Sequence, residues 1–344
     1  MADLPDHMTA WIRFDEWIKK AIEMRGSDIL IVPRYKPQVR VNGELRELDD
    51  LTITPEQTGW IRSSLFQQGY YGSPTGTMQV SRNIGQNKLA DITCATAGGV
   101  ASITIKLHAS SMPALDDANY PSSAAMKKLL EQPNGLIVVA GPHGSGKTTT
   151  LYAMVNWINE TRNVHICTVE KPRHYLFPAA KAVVQQREVG LDGNSHAELI
   201  QAAMQQDCDV VMVGDVENFD TLAACMHTAE TGHLVVVQVH ANSVQEAVQR
   251  LIEAAPAGLE SLSKRQLHAT LRGVVVQRLA RKKDGRTRVA LCDVIGEGAR
   301  KFIDGGTPDA GFYSARAQDE IKRLEGAGEI SKEEAERLHR EVGA

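Results

Sequence analysis

The 344-residue chain contains no apolar run that approaches the roughly 20 residues needed to cross a bilayer. Its first residues, Met1-Ala-Asp-Leu-Pro-Asp-His-Met8, lack the basic stretch followed by an apolar one that marks a secretory signal. Membrane insertion and export are therefore not expected. Cysteine is sparse and scattered: Cys94, Cys167, Cys208, Cys225 and Cys292 are odd in number and form no CxxC pair. That argues against a disulfide framework; most of the five read as small core residues, with a reducing cytoplasm as the simplest setting. No H-x-x-x-H or Cys/His spacing suggests a metal site, and no internal repeat or low-complexity tract is present. An excess of positive charge is missing too. The net charge of −4 offers no general attraction for nucleic acid or a membrane surface, and no basic stripe is interleaved with stacking aromatics. What remains is an average soluble composition, 42% hydrophobic and 23% charged, in a chain long enough for two domains.

Against that background one stretch stands out. The apolar run Gly135-Leu-Ile-Val-Val-Ala140 leads into Gly141-Pro-His-Gly-Ser-Gly-Lys147-Thr148-Thr149-Thr150, the strand, Gly-rich turn and helix of a P-loop. Gly141, Gly146, Lys147 and Thr148 satisfy G-x-x-x-x-G-K-[ST]. Glycines allow successive backbone N–H groups, here including those of Gly144, Ser145 and Thr149, to face one anion at the positive end of a helix. Lys147 is expected to reach the β- and γ-phosphates of ATP, and the Thr148 hydroxyl to ligate Mg²⁺. His143, inside the loop, has no assigned role.

The N-terminal part reads as an α+β domain over residues 1–110. Phe14, Trp17, Ile18, Ala21 and Ile22 mark one face of a helix ending near Gly26. Strand 28–32 follows, then a hairpin turning at Asn42-Gly43. Thr54-Pro55-Glu56-Gln57 has the form of a capping box. Residues 78–107 are strand-rich, with Ala101, Ile103, Ile105 and Leu107 on one face. A connector over 109–119 leads to the second domain, residues 111–344. There strands at 135–140, 164–169, 182–185, 209–214 and 234–239 alternate with helices, which implies a largely parallel sheet. Ligands of such sheets bind at the C-terminal strand ends, so Glu170, Asp215 and His240 are expected to meet the P-loop. Beyond Ile295 the chain reads as charged helices with a solvated surface, with pairs such as Lys332/Glu336 and Glu333/Arg337.

Taken together these segments resemble the secretion-ATPase superfamily of type II secretion and type IV pili, with greatest similarity to PilT-like retraction ATPases. Gly141 to Tyr152 resembles its Walker A motif, Ala229-Glu-Thr-Gly-His233-Leu-Val235 with His240 its His box, and Leu271-Arg-Gly-Val-Val-Val-Gln-Arg-Leu279 a run late in its core. Gln186-Arg-Glu-Val-Gly190 matches another core segment, and the strand from Ser27-Asp28 with the hairpin Val39–Leu45 resembles its PAS-like domain. The absence of a paired-CxxC insert and the segment Ala299-Arg-Lys-Phe-Ile303 are similar to the retraction branch. The resemblance implies a RecA-like P-loop NTPase core with a smaller N-terminal α+β, PAS-like domain. It also implies a homo-hexameric cytoplasmic ring, peripheral at the inner face of the cell membrane, working on an inner-membrane pilus or secretion platform protein. Within it His233 and His240 would sense the γ-phosphate, and Lys106 would stand where the family has an arginine that reaches towards phosphate.

The departures fall on the catalytic motifs. Where the family reads Thr-Ile-Glu-Asp-Pro-Ile-Glu, this chain has Thr168-Val-Glu170-Lys171-Pro-Arg-His174. The first acid survives as Glu170, Asp becomes Lys171, and the presumed general base becomes His174. The Walker B end, Gly-Glu-Met-Arg in the family, is Gly214-Asp215-Val-Glu217 here. Losing a general base costs roughly 10²- to 10⁴-fold, although a histidine can itself act as a base near neutral pH. Two readings follow: a motor ATPase with Glu170, His174, Asp215 and His240 around the γ-phosphate, or a nucleotide-binding, weakly catalytic paralogue that serves as a structural or regulatory subunit.

Overall fold

The computed structural model describes residues 6–24, 26–41, 44–65, 77–84, 89–107, 112–117, 119–284, 287–307 and 309–342. The chain divides into two compact units. The first comprises Met1–Ser111 together with Pro172–Pro178 and Gly190–Asp192, and the rest of the chain forms the second. The boundary expected near residue 110 is therefore crossed twice by short excursions, one of which carries His174.

In the first unit the elements run α1 (Asp6–Glu23), β1 (Asp28–Ile31), β2 (Gln38–Val41), β3 (Glu44–Glu47), α2 (Pro55–Leu65), β4 (Met78–Asn83), β5 (Leu89–Ala97) and β6 (Val100–Leu107). The strands form one antiparallel sheet in the order β3-β2-β1-β6-β5-β4. Phe14, Trp17, Ile18 and Ala21, spaced as one helical face, are buried with Ile29, Ile31, Val39, Ile103 and Ile105. The start of α2 is a complete capping box: Gln57 N–H donates to Thr54 Oγ1 (3.3 Å), and Thr54 N–H to Gln57 Oε1 (2.9 Å). The Asn42-Gly43 turn lies outside the described residues, but the strands on either side of it pair as a hairpin.

The second unit contains α3 (Ser123–Leu130), β7 (Gly135–Gly141), α4 (Lys147–Thr161), β8 (His165–Glu170), β9 (Val183–Glu188), α5 (His196–Met204), β10 (Val210–Val213), α6 (Phe219–Glu230), β11 (Leu234–His240) and α7 (Val244–Glu253). It continues through α8 (Glu260–Thr270), β12 (Leu271–Arg281), β13 (Arg288–Ile295), β14 (Tyr313–Ala315), α9 (Ala317–Gly326) and α10 (Lys332–Val342). Its eight-stranded sheet has the order β14-β13-β12-β7-β11-β10-β8-β9, parallel from β12 to β9 and antiparallel at the other end. β7 is buried along its whole length because helices cover both faces of a parallel sheet.

The C-terminal helices correct one expectation. Their charges are exposed, but Ala317, Ile321, Leu324, Ile330, Ala335 and Leu338 close a core against Ala280, Val289 and Leu291 of β12 and β13. Arg337 pairs with Glu334 (2.7 Å) and Glu341 (2.5 Å) instead of Glu333. In α10, i+3 and i+4 neighbours share a face, and the buried stripe selects which acids those are.

Candidate active site

The loop between β7 and α4 is shaped by positions only glycine fills. Gly146 caps α4 with φ of 82°, in the left-handed region. At Gly141 a Cβ would stand 2.4 Å from the carbonyl oxygen of Gln277, so β12 could not approach the loop beside a larger residue. Lys147 opens α4, is almost completely buried, and its Nζ donates to Pro142 O across the loop (2.8 Å). Thr148 Oγ1 donates to Gln238 Oε1 of β11 (3.0 Å).

Gln277, 1% exposed on β12, ties the loop to the sheet. Its Nε2 donates to Ser145 O (2.7 Å) and its Oε1 accepts from Thr150 Oγ1. One side chain thus holds the crown of the loop and the first turn of α4 in register. Sequence reasoning missed both glutamines. Gln277 falls inside the segment matched to the family's late core run, and its place directly after the apolar run Val274-Val-Val276 was the available signal.

Three titratable groups, Lys147, Asp215 and His240, meet at the C-terminal strand ends. His240 Nε2 lies 3.7 Å from Asp215 Oδ2. Burial raises the Asp215 carboxyl above its ordinary range, and neighbouring Glu217 adds to this, while His240, the Val216 N–H and Lys147 oppose it. Burial lowers the Lys147 ammonium, against the attraction of Asp215. The His240 imidazole is lowered by burial and by Lys147, with Asp215 acting in the opposite direction. His143 stacks over His240 with ring centroids 6.4 Å apart. Glu170, 1% exposed at the end of β8, accepts hydrogen bonds from Thr168 Oγ1 (2.5 Å) and Gln186 Nε2 (3.2 Å). Walker A, Walker B and the end of the His box therefore converge, with Asp215 carrying the anionic charge beside Lys147.

Beside the outer wall of the loop lies a cavity of about 830 Å³, framed by His143 and Gly144, Asn242, Arg278, Arg288 and Glu334. Arg278 is nearly buried and donates to Glu341 O (2.7 Å) and to Asn242 O.

Two expected site residues stand elsewhere. His233 precedes β11, whose register pairs Leu234 with Gly135 and His240 with Gly141. His233 is thus at the opposite end of the strand from the loop, about 20 Å away at the usual rise per residue. Its Nδ1 contacts Thr228 O (3.0 Å) and Thr231 Oγ1 (3.2 Å) at the C-terminus of α6. Its expected contact with nucleotide in its own chain is corrected to a helix-end contact. His174 belongs to the first unit, where its Nδ1 lies 3.8 Å from Asp91 Oδ2. Lys106 is exposed on β6 of the same unit, opposite Asp28 on one side and Asp91 on the other.

The loop suits a polyphosphate. It joins a helix N-terminus to a buried ammonium, and Ser145 Oγ is buried there without a hydrogen-bond partner. Among the described residues no group of three or more His, Cys, Asp and Glu side chains is arranged to hold a metal by itself. A cation here would thus depend on Thr148, a carboxylate and substrate oxygens, as Mg²⁺ commonly does. No helix among them is long and apolar enough to cross a membrane.

Residues 101–336 match the model of the type II/IV secretion system protein family. The chain belongs to this family. A twitching motility protein of Neisseria gonorrhoeae is 30% identical over 75% of this chain and 69% of its own length. The type IV pilus ATPase PilU of Pseudomonas aeruginosa is 28% identical over 83% of this chain and 74% of its own. The crystal structure of the pilus retraction motor PilT with bound ADP superposes with a TM-score of 0.80 at 28% identity, covering 94% of this chain and 96% of that one. The architecture is accordingly an α/β, RecA-like P-loop ATPase core with a smaller N-terminal α+β domain, and this type II/IV secretion family member is an ATPase of the PilT-containing superfamily.

Proposed function

We propose that the protein is a Mg²⁺-dependent ATPase motor of the retraction type, working as a hexameric ring on an inner-membrane pilus or secretion platform. The observation that carries this is the convergence of the P-loop lysine with Asp215 and His240 at the ends of β7, β10 and β11. Gly141, Gly144, Ser145, Gly146, Lys147 and Thr149 would hold the phosphates, with Thr148 on the metal. The cavity bounded by Arg278 and Arg288 offers room for the base and sugar beside the same loop. Mg²⁺ would supply charge neutralisation at the β- and γ-oxygens.

In this reading water attacks the γ-phosphorus and the bond to the β-phosphate oxygen breaks, releasing ADP and phosphate. The water's proton passes to a nearby base. Asp215 is the favoured acceptor, because burial already raises its proton affinity. His240 orients it, and Glu170, locked by Thr168 and Gln186, keeps the end of β8 fixed. His174 remains a second candidate base, tested separately because it stands with Asp91 in the first unit. Lys106 would act on the nucleotide of a neighbouring subunit.

Steady-state ATP hydrolysis by the purified chain, beside Lys147→Ala, tests the proposal. The weakly catalytic alternative is favoured only if ATP binds with ordinary affinity while turnover stays at the level of that variant.

A further inference from the structure

Two of the departures from the family motifs, Asp to Lys171 after β8 and Arg to Glu217 after β10, stand 46 residues apart in the sequence. The structure joins them. β8 and β10 are neighbours, with Val169 opposite Val213, so both residues leave the same edge of the sheet. Lys171 Nζ lies 3.9 Å from Glu217 Oε2. The two altered positions therefore carry opposite charges within ion-pair distance of each other. Either change alone would leave two like charges facing each other.

A third group completes the cluster. His196 opens α5, is 3% exposed, and its Nδ1 stands 3.9 Å from the same Glu217 oxygen. Its Nε2 is buried and without a hydrogen-bond partner. Burial lowers the His196 proton affinity, with Lys171 acting in the same direction and Glu217 and Asp215 opposing it. Glu217 thus sits between a cation on the β8 side and an imidazole on α5, only two residues from Asp215.

We infer that Lys171 and Glu217 form a charge-inverted ion pair that positions the loop carrying Asp215. They are positioning residues, and the inference rests on the reading of Asp215 as part of the reacting centre. Both side chains are about half exposed, a setting in which such pairs add little stability. The consequence should therefore appear in turnover more than in folding, since a shift of about 1 Å in a catalytic group can cost on the order of 100-fold.

The test is a charge-reversal cycle in the full chain: Lys171→Asp, Glu217→Arg, and the two together, with Lys171→Met and Glu217→Gln as neutral controls. Each single reversal should lower kcat about tenfold or more, leave the KM for ATP within about twofold, and change the melting temperature little. The double reversal should return kcat to within about threefold of the starting protein. Single reversals without effect on kcat, or a double variant as impaired as the sum of the two, would overturn the inference. A merely structural pair would instead move melting temperature and KM together. If the unaltered protein shows no turnover, the ATPase reading fails and the positioning role fails with it. Turnover in the unaltered protein, with single reversals at that same level, would instead overturn the inference while leaving the ATPase reading intact.

Discussion

Gln277 bears more of the nucleotide loop than its neutral side chain suggests, and its replacement gives a quantitative test. In Gln277→Met the volume is nearly kept, but Ser145 O loses its donor and Thr150 Oγ1 its acceptor, both in buried surroundings. Leaving a buried polar group unsatisfied costs about 1–3 kcal/mol, so the two together amount to roughly 2–6 kcal/mol if neither finds a new partner. For a unit of this size each kcal/mol lowers Tm by about 2–4 °C, which predicts a fall of roughly 4–24 °C. ATP affinity should drop at least about tenfold, equivalent to roughly 1.4 kcal/mol, because the crown of the loop is no longer pinned to β12. Differential scanning calorimetry and isothermal titration with Mg-ATP read the two effects. Gln277→Glu separates the bonds, since it keeps the acceptor for Thr150 but sets a carboxylate against the Ser145 carbonyl. A Met variant that melts and binds ATP like the parent would refute the reasoning.

Other outcomes follow from the same geometry. His233→Ala should lose about 0.5–1.5 kcal/mol of stability through its contacts at the end of α6, with ATP affinity unchanged in titration calorimetry. Asp215 has a folded-state pKa raised above the ordinary 3.8, so its ionised form is disfavoured by folding, and that penalty grows as pH rises through the raised value. Asp215→Asn should therefore raise Tm at neutral pH, lose the gain below the unfolded pKa, and cut kcat, as checked by melting curves across pH and by turnover. If His174 is the base, His174→Ala should remove the acidic limb of the pH–rate profile; an unchanged profile assigns the proton to Asp215.

What the sequence made legible was local. The P-loop, the Thr54–Gln57 capping box and the apolar face of α1 are each written within a few residues, and the structure forms them where the spacing puts them. Strands β7, β8, β10 and β11 were readable because a sheet covered on both faces demands unbroken apolar runs. The partners of the loop were not readable, because Gln277 and Gln238 lie 127 and 90 residues from the threonines they meet. His233 misled for a geometric reason. Two histidines seven residues apart in one motif occupy opposite ends of an extended strand, and only one end lies beside the Gly-rich loop. Lys171 and Glu217 read as two losses along the chain because their pairing depends on β8 and β10 being adjacent, which only the strand order shows.

The central claim is that the loop led by Lys147 binds Mg-ATP for hydrolysis beside Asp215. The most direct measurement is phosphate release at saturating Mg-ATP, run in parallel for the unaltered chain, Lys147→Ala and Asp215→Ala, with an ATP thermal-shift series on each. The account predicts turnover in the unaltered chain alone. The thermal shift, about 2.7 kcal/mol of added stability at 100-fold excess over Kd, should persist in Asp215→Ala and vanish in Lys147→Ala. No ATP-dependent shift in the folded, unaltered chain, or equal phosphate release by all three proteins, would contradict it.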